Sequence, residues 1–410
     1  MPEAASVAPP EYGAFPAYVR PAVTGIETQQ ILAVSQIALG DKSVIPLWYG
    51  ESDVPTPDFI CKAAQDALSA GETFYSHKRG TPELRETLAG YMSDLYGREI
   101  GVDRVSVTAS GMSGIMLLFQ CLIDPGDNAI IACPVWPNAQ SVVRALGGEA
   151  RFHSLDRVPP AERGDEGGGW RLDVEALKAK CDARTRAIFV NSPNNPTGWV
   201  LPADQIAELL SFARERGIWI IADEVYGRMV YDGRAAPSFL EQVEPDDPVF
   251  VVNSFSKSWA MTGWRVGWTV HPPQFGELLG NMIEFNYSCV PPFVMQAADV
   301  AIREGEPFVR RMVDYCRESR DIVFDALPGL PHVADCAPPD ASFYAFFRID
   351  GTQDRTLAFA QQLVREAKVG VAPGTAFGPG AEGWYRLCFA QKPETVREAV
   401  RRLGEALERL

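Results

Sequence analysis

The sequence predicts a two-domain α/β protein, with a largely parallel sheet covered by helices on both faces and a smaller, helix-rich domain after it. Three observations predict it. The middle of the chain alternates short Val/Ile-rich strings with amphipathic stretches. Those strings are apolar at consecutive positions, as strands buried on both faces are. At 410 residues the chain exceeds what one core holds, and from about residue 285 the pattern changes to longer helices.

The elements follow in chain order. The first dozen residues, MPEAASVAPPEY, are small and proline-rich and read as disordered. Strands are expected at RVSVTAS (104–110), NAIIACP (128–134), AIFVNSP (187–193), WIIADEVY (219–226), VFVVNSFS (249–256) and RVGWTV (265–270). Between them, VEALKAKC (174–181) and DQIAELLSFARER (204–216) read as helices, the second with Ile206, Leu209, Leu210 and Ala213 on one stripe. RGDEGGG (163–169) reads as a surface loop. Beyond 285, helices are expected over 308–326, 355–368 and 393–409, around strands near ASFYAFFRI and WYRLCFA. The domain division is placed at 61–284 for the large domain and 285–410 for the small one, which residues 1–60 join.

Composition excludes several classes of function. Hydrophobic residues at 46% and charged residues at 22% are ordinary globular usage. A formal charge of −15 argues against a nucleic-acid partner, which needs a basic face. No signal peptide and no long apolar run are evident, so no membrane partner is expected and the cytoplasm is the default location. Eight cysteines lack metal or redox spacing, and the four histidines lie far apart, so no metal site is expected.

The polar residues worth attention fall at strand ends, where sheets of this kind bind ligands. Lys257, in Ser254-Phe255-Ser256-Lys257, is an amine set among small hydroxyl residues, suited to forming an imine with an aldehyde. Arg265, eight positions on, suits a phosphate, with Ser254 and Ser256 as further donors. A surface Lys and Arg flanking a loop is the plainer reading. Asp223, in Asp223-Glu224-Val225-Tyr226, can pair with a protonated ring nitrogen or serve as a helix cap. The Tyr226 hydroxyl lies close enough to reach the same ring.

Asn195-Pro196-Thr197-Gly198 reads as a tight turn or as an amide donor to a ring oxygen. Ser110-Gly111-Met112 opens a helix and leaves N–H groups for an anion, although the G-K-[ST] of a P-loop is absent. Trp136 reads as core or as a ring to stack on a flat cofactor.

Together these residues resemble the class I/II aminotransferases, the aspartate and aromatic aminotransferase group of fold-type-I pyridoxal-phosphate enzymes. N-P-T-G (195–198), D-E-V-Y (223–226) and S-F-S-K with Arg265 are its most specific parts. The resemblance spans about residue 20 to the end. It implies a mostly parallel seven-stranded sheet in the large domain and an α+β small domain. Lys257 would be the Schiff-base lysine, with Asp223 on the pyridine nitrogen and Asn195 and Tyr226 on the phenolic oxygen. Trp136 would stack on the ring. Ser110, Gly111, Met112, Ser254, Ser256 and Arg265 would surround the phosphate.

Tyr75 resembles the tyrosine that reaches the neighbouring subunit's phosphate, which implies a homodimer with shared active sites. Arg386 resembles the arginine that clamps the substrate α-carboxylate, and Gly50 the glycine lining the substrate side. Asn195 would also face the substrate.

The implied activity is ping-pong transfer of the α-amino group of an L-amino acid to a 2-oxo acid. A C–S lyase, an ACC-synthase-like elimination enzyme and a ligand-sensing regulator on the same fold are the alternatives. Three departures bear on substrate. The segment 283–288 has no arginine, and Glu284 stands near the position where the dicarboxylate-specific enzymes place a second one. This favours a neutral, aromatic or basic donor, with Glu284 either facing a cationic side chain or simply solvated or paired. Ala139 occupies the place where some family members have a histidine behind the ring-nitrogen aspartate. Met112 replaces a hydroxyl residue and leaves only its N–H.

Overall fold

The computed structural model describes residues 17–158, 162 and 169–410. The proline-rich start and nearly all of the loop expected at 163–169 lie outside these residues.

Seven strands form the large sheet: β1 (Val105–Thr108), β2 (Asn128–Cys133), β3 (Glu149–Ser154), β4 (Thr185–Asn191), β5 (Trp219–Asp223), β6 (Val249–Ser254) and β7 (Gly267–Val270). Their order across the sheet is β1-β7-β6-β5-β4-β2-β3. The pairs from β6 through β3 are parallel, while β7 runs antiparallel to both of its neighbours. Six of the seven match strings read from the sequence. The seventh, β3, lies at the sheet edge beside β2 alone.

The unbroken apolar strings are explained by two covered faces. Ile130, Ile188, Ile220 and Val251 point into one core with the Asp58–Ser69, Pro82–Tyr96, Ala203–Arg216 and Pro292–Glu304 helices. Their sequence neighbours Ile131, Phe189, Ile221 and Val252 point into a second, with the Gly111–Leu122, Asn138–Ala145 and Gly276–Tyr287 helices. Alternation along each strand thus divides the apolar set between the two faces.

The small domain holds a four-stranded antiparallel sheet of β8 (Val333–Cys336), β9 (Tyr344–Ile349), β10 (Ala372–Pro373) and β11 (Trp384–Cys388), in the order β8-β9-β11-β10. The N-terminal segment joins it. Ile45–Pro46 runs parallel to Val369–Gly370, and Ile31, Val34, Leu47 and Trp48 enter the same core. The boundary expected after residue 284 falls inside the Gly276–Tyr287 helix. Val294, Ala298 and Val309 still pack in the large-sheet core, whereas Met312, Cys316 and Val323 pack in the small-domain core. The Glu306–Ala326 helix therefore passes from one core to the other.

Candidate active site

Because β1, β2, β4, β5 and β6 run parallel or end on the same side, their carboxyl ends open into one cavity of roughly 470 Å³, a volume typical of small-ligand sites. Asp223 and Ser254 are the last residues of β5 and β6. Lys257 follows three residues after Ser254, with its Nζ donating to the Gly50 carbonyl at 2.6 Å. Gly50, Asp223, Tyr226 and Lys257 all line the cavity, as do Trp136 and Asn195.

One part of the wall is a set of anion donors. Ser110 caps the Gly111–Leu122 helix, its Oγ accepting from the Ser113 amide at 2.9 Å. That leaves the Gly111 and Met112 amides at the head of the helix without intrahelical acceptors, at its positive dipole end. Ser254 Oγ donates to Ser256 Oγ at 2.9 Å, and Arg265 Nη1 to the Thr262 carbonyl at 2.6 Å. Ser110, Gly111, Met112, Ser254, Ser256 and Arg265 all line the cavity. The approach is close enough that a Cβ on Gly267 would lie 2.7 Å from the Gly111 nitrogen, so no side chain fits there.

Enclosure by protein governs the charges. It lowers the Lys257 amine to about 8 from its ordinary 10.5; Arg386 acts in the same direction, while Cys388, Glu51 and Asp223 oppose. It raises the Asp223 carboxyl to about 7, against the opposing pull of the Val225 amide and of Lys257. Burial also raises the Tyr226 phenol above its ordinary range. The cavity thus contains an amine within reach of its neutral form and a carboxylate without a contacting cation.

Two expected site residues lie off the cavity wall. Arg386, on β11, is fully buried behind it. Its Nη1 donates to Asn195 Oδ1 at 2.8 Å, its Nη2 donates to the Trp48 carbonyl, and its Nε has no partner. The guanidinium lies 4.5 Å over the Tyr344 ring and 4.9 Å over the Phe377 ring. Tyr75 is elsewhere: its side chain is 87% exposed, next to Phe74 at 81%. Of the departures, Ala139 lines the cavity. Glu284 does not; it is exposed, with its carboxylate 3.6 Å from Lys78 Nζ, so it is paired at the surface.

Other residues at the site escaped the sequence reading. Asn191, which ends β4, donates from Nδ2 to the Asp223 carbonyl at 3.0 Å and accepts from the Asn195 amide at 2.8 Å, so it ties two site segments together. A polar residue closing a buried strand was the available signal, the same one that marks Asp223 and Ser254. Tyr344, at the start of β9, lines the cavity with its hydroxyl 2.6 Å from that of Tyr226. Tyr49, Glu51, Asn138 and Thr262 complete the rim.

Among the described residues, no group of His, Cys, Asp and Glu could hold a metal, and no helix is long and apolar enough to cross a membrane.

Comparison with known proteins agrees along nearly the whole length. The family model described as aminotransferase class I and II matches residues 42–403. The probable aspartate/prephenate aminotransferase of Aquifex aeolicus is 33% identical over 375 residues, covering 90% of this chain and 92% of that one. The arginine–pyruvate transaminase of Pseudomonas aeruginosa is 34% identical over 373 residues, covering 91% and 92%. Among solved structures, a single mutant of Thermus thermophilus aspartate aminotransferase superposes with a TM-score of 0.86 at 29% identity, covering 95% of this chain and all of that one.

Proposed function

The chain belongs to the class I and II aminotransferase family and is a pyridoxal-phosphate-dependent transaminase, and from that premise we propose the roles of its residues and the class of its amino donor. The observation that carries the assignment of roles is the lysine amine at the Gly50 carbonyl, in one cavity with the unpaired Asp223 carboxylate and the anion donors around Arg265.

The donor set fits the cofactor. A phosphate needs N–H and hydroxyl donors with a fixed cation, and the head of the Gly111–Leu122 helix, the two serines and Arg265 are these. A protonated ring nitrogen needs a carboxylate, and Asp223 would be that carboxylate, its pKa raised to about 7 by enclosure. When bound, pyridoxal phosphate supplies an electron sink that accepts the pair left behind when a proton leaves the substrate α-carbon.

The chain's own groups do the rest. Lys257 would hold the aldehyde at Nζ and would be the base for the substrate α-proton; its lowered pKa keeps part of it neutral near pH 8. Asp223 holds the ring nitrogen charged. With Oδ1 engaged by Arg386, Asn195 would offer Nδ2 to the ring's phenolic oxygen, beside the Tyr226 hydroxyl. Trp136 would stack on the ring, and Arg386, backed by aromatic faces, would bind the substrate α-carboxylate on the Gly50 side.

The proposed donor is an L-amino acid with a neutral, aromatic or basic side chain, and the acceptor a 2-oxo acid, in a ping-pong cycle. The only cations on the cavity wall among the described residues are Lys257 and Arg265, both assigned to the cofactor. Behind the wall, Arg386 would serve the α-carboxylate, which leaves no further cation at the cavity for a side-chain carboxylate among the described residues. The similarity to an arginine–pyruvate transaminase supports including basic donors.

We place the working enzyme in the cytoplasm as a homodimer. The adjacent exposed rings of Phe74 and Tyr75 support the dimer, as does an apolar recess that opens beside Arg265 between Thr56, Tyr287 and Phe293.

A half-reaction screen tests the proposal. A true donor added alone bleaches the holoenzyme's lysine-bound absorbance and releases one equivalent of 2-oxo acid per site, and a 2-oxo acid acceptor restores the colour. Turnover of aspartate and glutamate in preference to every neutral, aromatic and basic donor would overturn the substrate class.

A further inference from the structure

Tyr344 stands where the two ends of the site meet. It is fully buried at the start of β9 and still lines the cavity. Its hydroxyl is 2.6 Å from that of Tyr226, a distance at which one hydrogen must lie between the two oxygens. Its ring face lies 4.5 Å beneath the Arg386 guanidinium. A Cβ on Gly50 would come 2.0 Å from its hydroxyl oxygen, so Tyr344 also accounts for the glycine at position 50.

We infer that Tyr344 is a positioning residue which donates its hydroxyl hydrogen to Tyr226, leaving the Tyr226 hydrogen to be donated to the cofactor's phenolic oxygen. The inference rests on the reading of Tyr226 given above. Two arguments set the direction. If Tyr226 donated to Tyr344, it would have no hydrogen left for an acceptor in the cavity, since a phenol has one. Burial raises both phenols, and the bond between them lowers that of Tyr226 and raises that of Tyr344, the sense expected when Tyr344 donates and the Tyr226 oxygen accepts.

Lys257 and Cys388 complete the charged and titratable groups around the pair, together with Arg386 and Asp223. Donation along such a chain strengthens the next bond. Tyr226 is then a stronger donor than an isolated phenol, and it holds the cofactor oxygen ionised to lower pH.

The test is the pH titration of the visible absorbance of the pyridoxal-phosphate-loaded enzyme, in wild type, Tyr344→Phe, Tyr226→Phe and the double variant. Tyr344→Phe keeps the ring under Arg386 and removes the donor. Its midpoint is expected about half a pH unit above wild type, the lower end of what one hydrogen bond contributes. Tyr226→Phe is expected to move it further in the same direction, and the double variant to match Tyr226→Phe alone.

A wild-type midpoint in Tyr344→Phe, or a Tyr344→Phe effect that persists without the Tyr226 hydroxyl, overturns the inference and leaves the role of Tyr226 intact. A wild-type midpoint in Tyr226→Phe overturns the reading of Tyr226 and this inference with it. If Tyr344→Phe fails to fold or to retain cofactor, 3-fluorotyrosine placed at position 344 decides. It is a stronger acid of nearly the same shape and is expected to lower the midpoint; an unchanged or raised value overturns the proposal.

Discussion

The cavity's chemistry depends on two groups whose surroundings oppose their charge. Without cofactor, enclosure disfavours the ammonium of Lys257, whose pKa is about 8 in the fold and 10.5 ordinarily. Between those values the unfolded chain binds the proton and the folded chain does not, so folding stability from this group rises with pH across the interval. Below about 8 the full cost of the charged amine is present. Lys257→Met removes it. The cofactor-free variant is expected to melt above wild type at neutral pH and to lack the part of the rise between about 8 and 10.5 that Lys257 causes, as read by paired melting curves. Its transamination should fall by about 10⁴-fold, the upper range for losing a proton-transfer group. Arg386→Lys probes the proposed carboxylate clamp. A lysine cannot reproduce the planar fork that reaches both Asn195 and the Trp48 carbonyl. KM for the amino donor is expected to rise about 10- to 100-fold. A KM within twofold of wild type would remove Arg386 from substrate binding.

At the scale of elements, the proposed phosphate cradle is a packing problem between a strand and a helix head. The Gly267 position at the start of β7 is pressed by backbone: an added Cβ would lie 2.6 Å from the Asn253 carbonyl oxygen and 2.7 Å from the Gly111 nitrogen. Neither atom can rotate away as a side chain would. Gly267→Ala is expected to cost about 1–3 kcal/mol of stability and to loosen pyridoxal phosphate, because relief of the clash displaces the Gly111 amide. Gly263, with nothing within 4 Å of its added Cβ, is the matched control. Equal cofactor dissociation from Gly267→Ala and Gly263→Ala would show that the helix head is not part of the cradle.

The sequence made these elements legible because doubly covered strands leave uninterrupted apolar strings, each ending on a polar residue such as Asp223 or Ser254. It concealed β3, whose edge position leaves Glu149 and Ser154 exposed and breaks the apolar run. It also concealed Tyr344, which reaches Tyr226 across 118 residues of chain and from the other domain. No local period encodes such a meeting, and within ASFYAFF the tyrosine has the pattern of an ordinary strand residue.

For the whole molecule, the long Glu306–Ala326 helix has its last residue in the large-sheet core at Val309, while Phe308 and, from Met312 on, its other buried apolar residues lie in the small-domain core. We propose that the division between domains falls within this helix and not after residue 284, since the intervening segment buries its apolar residues against the large sheet. The site itself lies between the two units, with Arg386 and Tyr344 coming from one and Lys257 and Asp223 from the other. The one expected site residue far from the cavity is Tyr75, and its exposure beside Phe74 has a physical explanation if a second copy covers it. Hybrid dimers separate that explanation from a solvent-exposed ring with no role. A Tyr75→Ala dimer is expected to bind pyridoxal phosphate about 10-fold more weakly, the worth of one strong hydrogen bond to phosphate. In a hybrid of one Tyr75→Ala chain with one Lys257→Ala chain, the site with an intact lysine receives its tyrosine from the other subunit. That site should therefore regain wild-type cofactor affinity, read by titrating the lysine-bound absorbance. If Tyr75 served its own chain, the hybrid would keep the weakened affinity, and if light scattering found single chains at working concentration there would be no neighbouring site to serve.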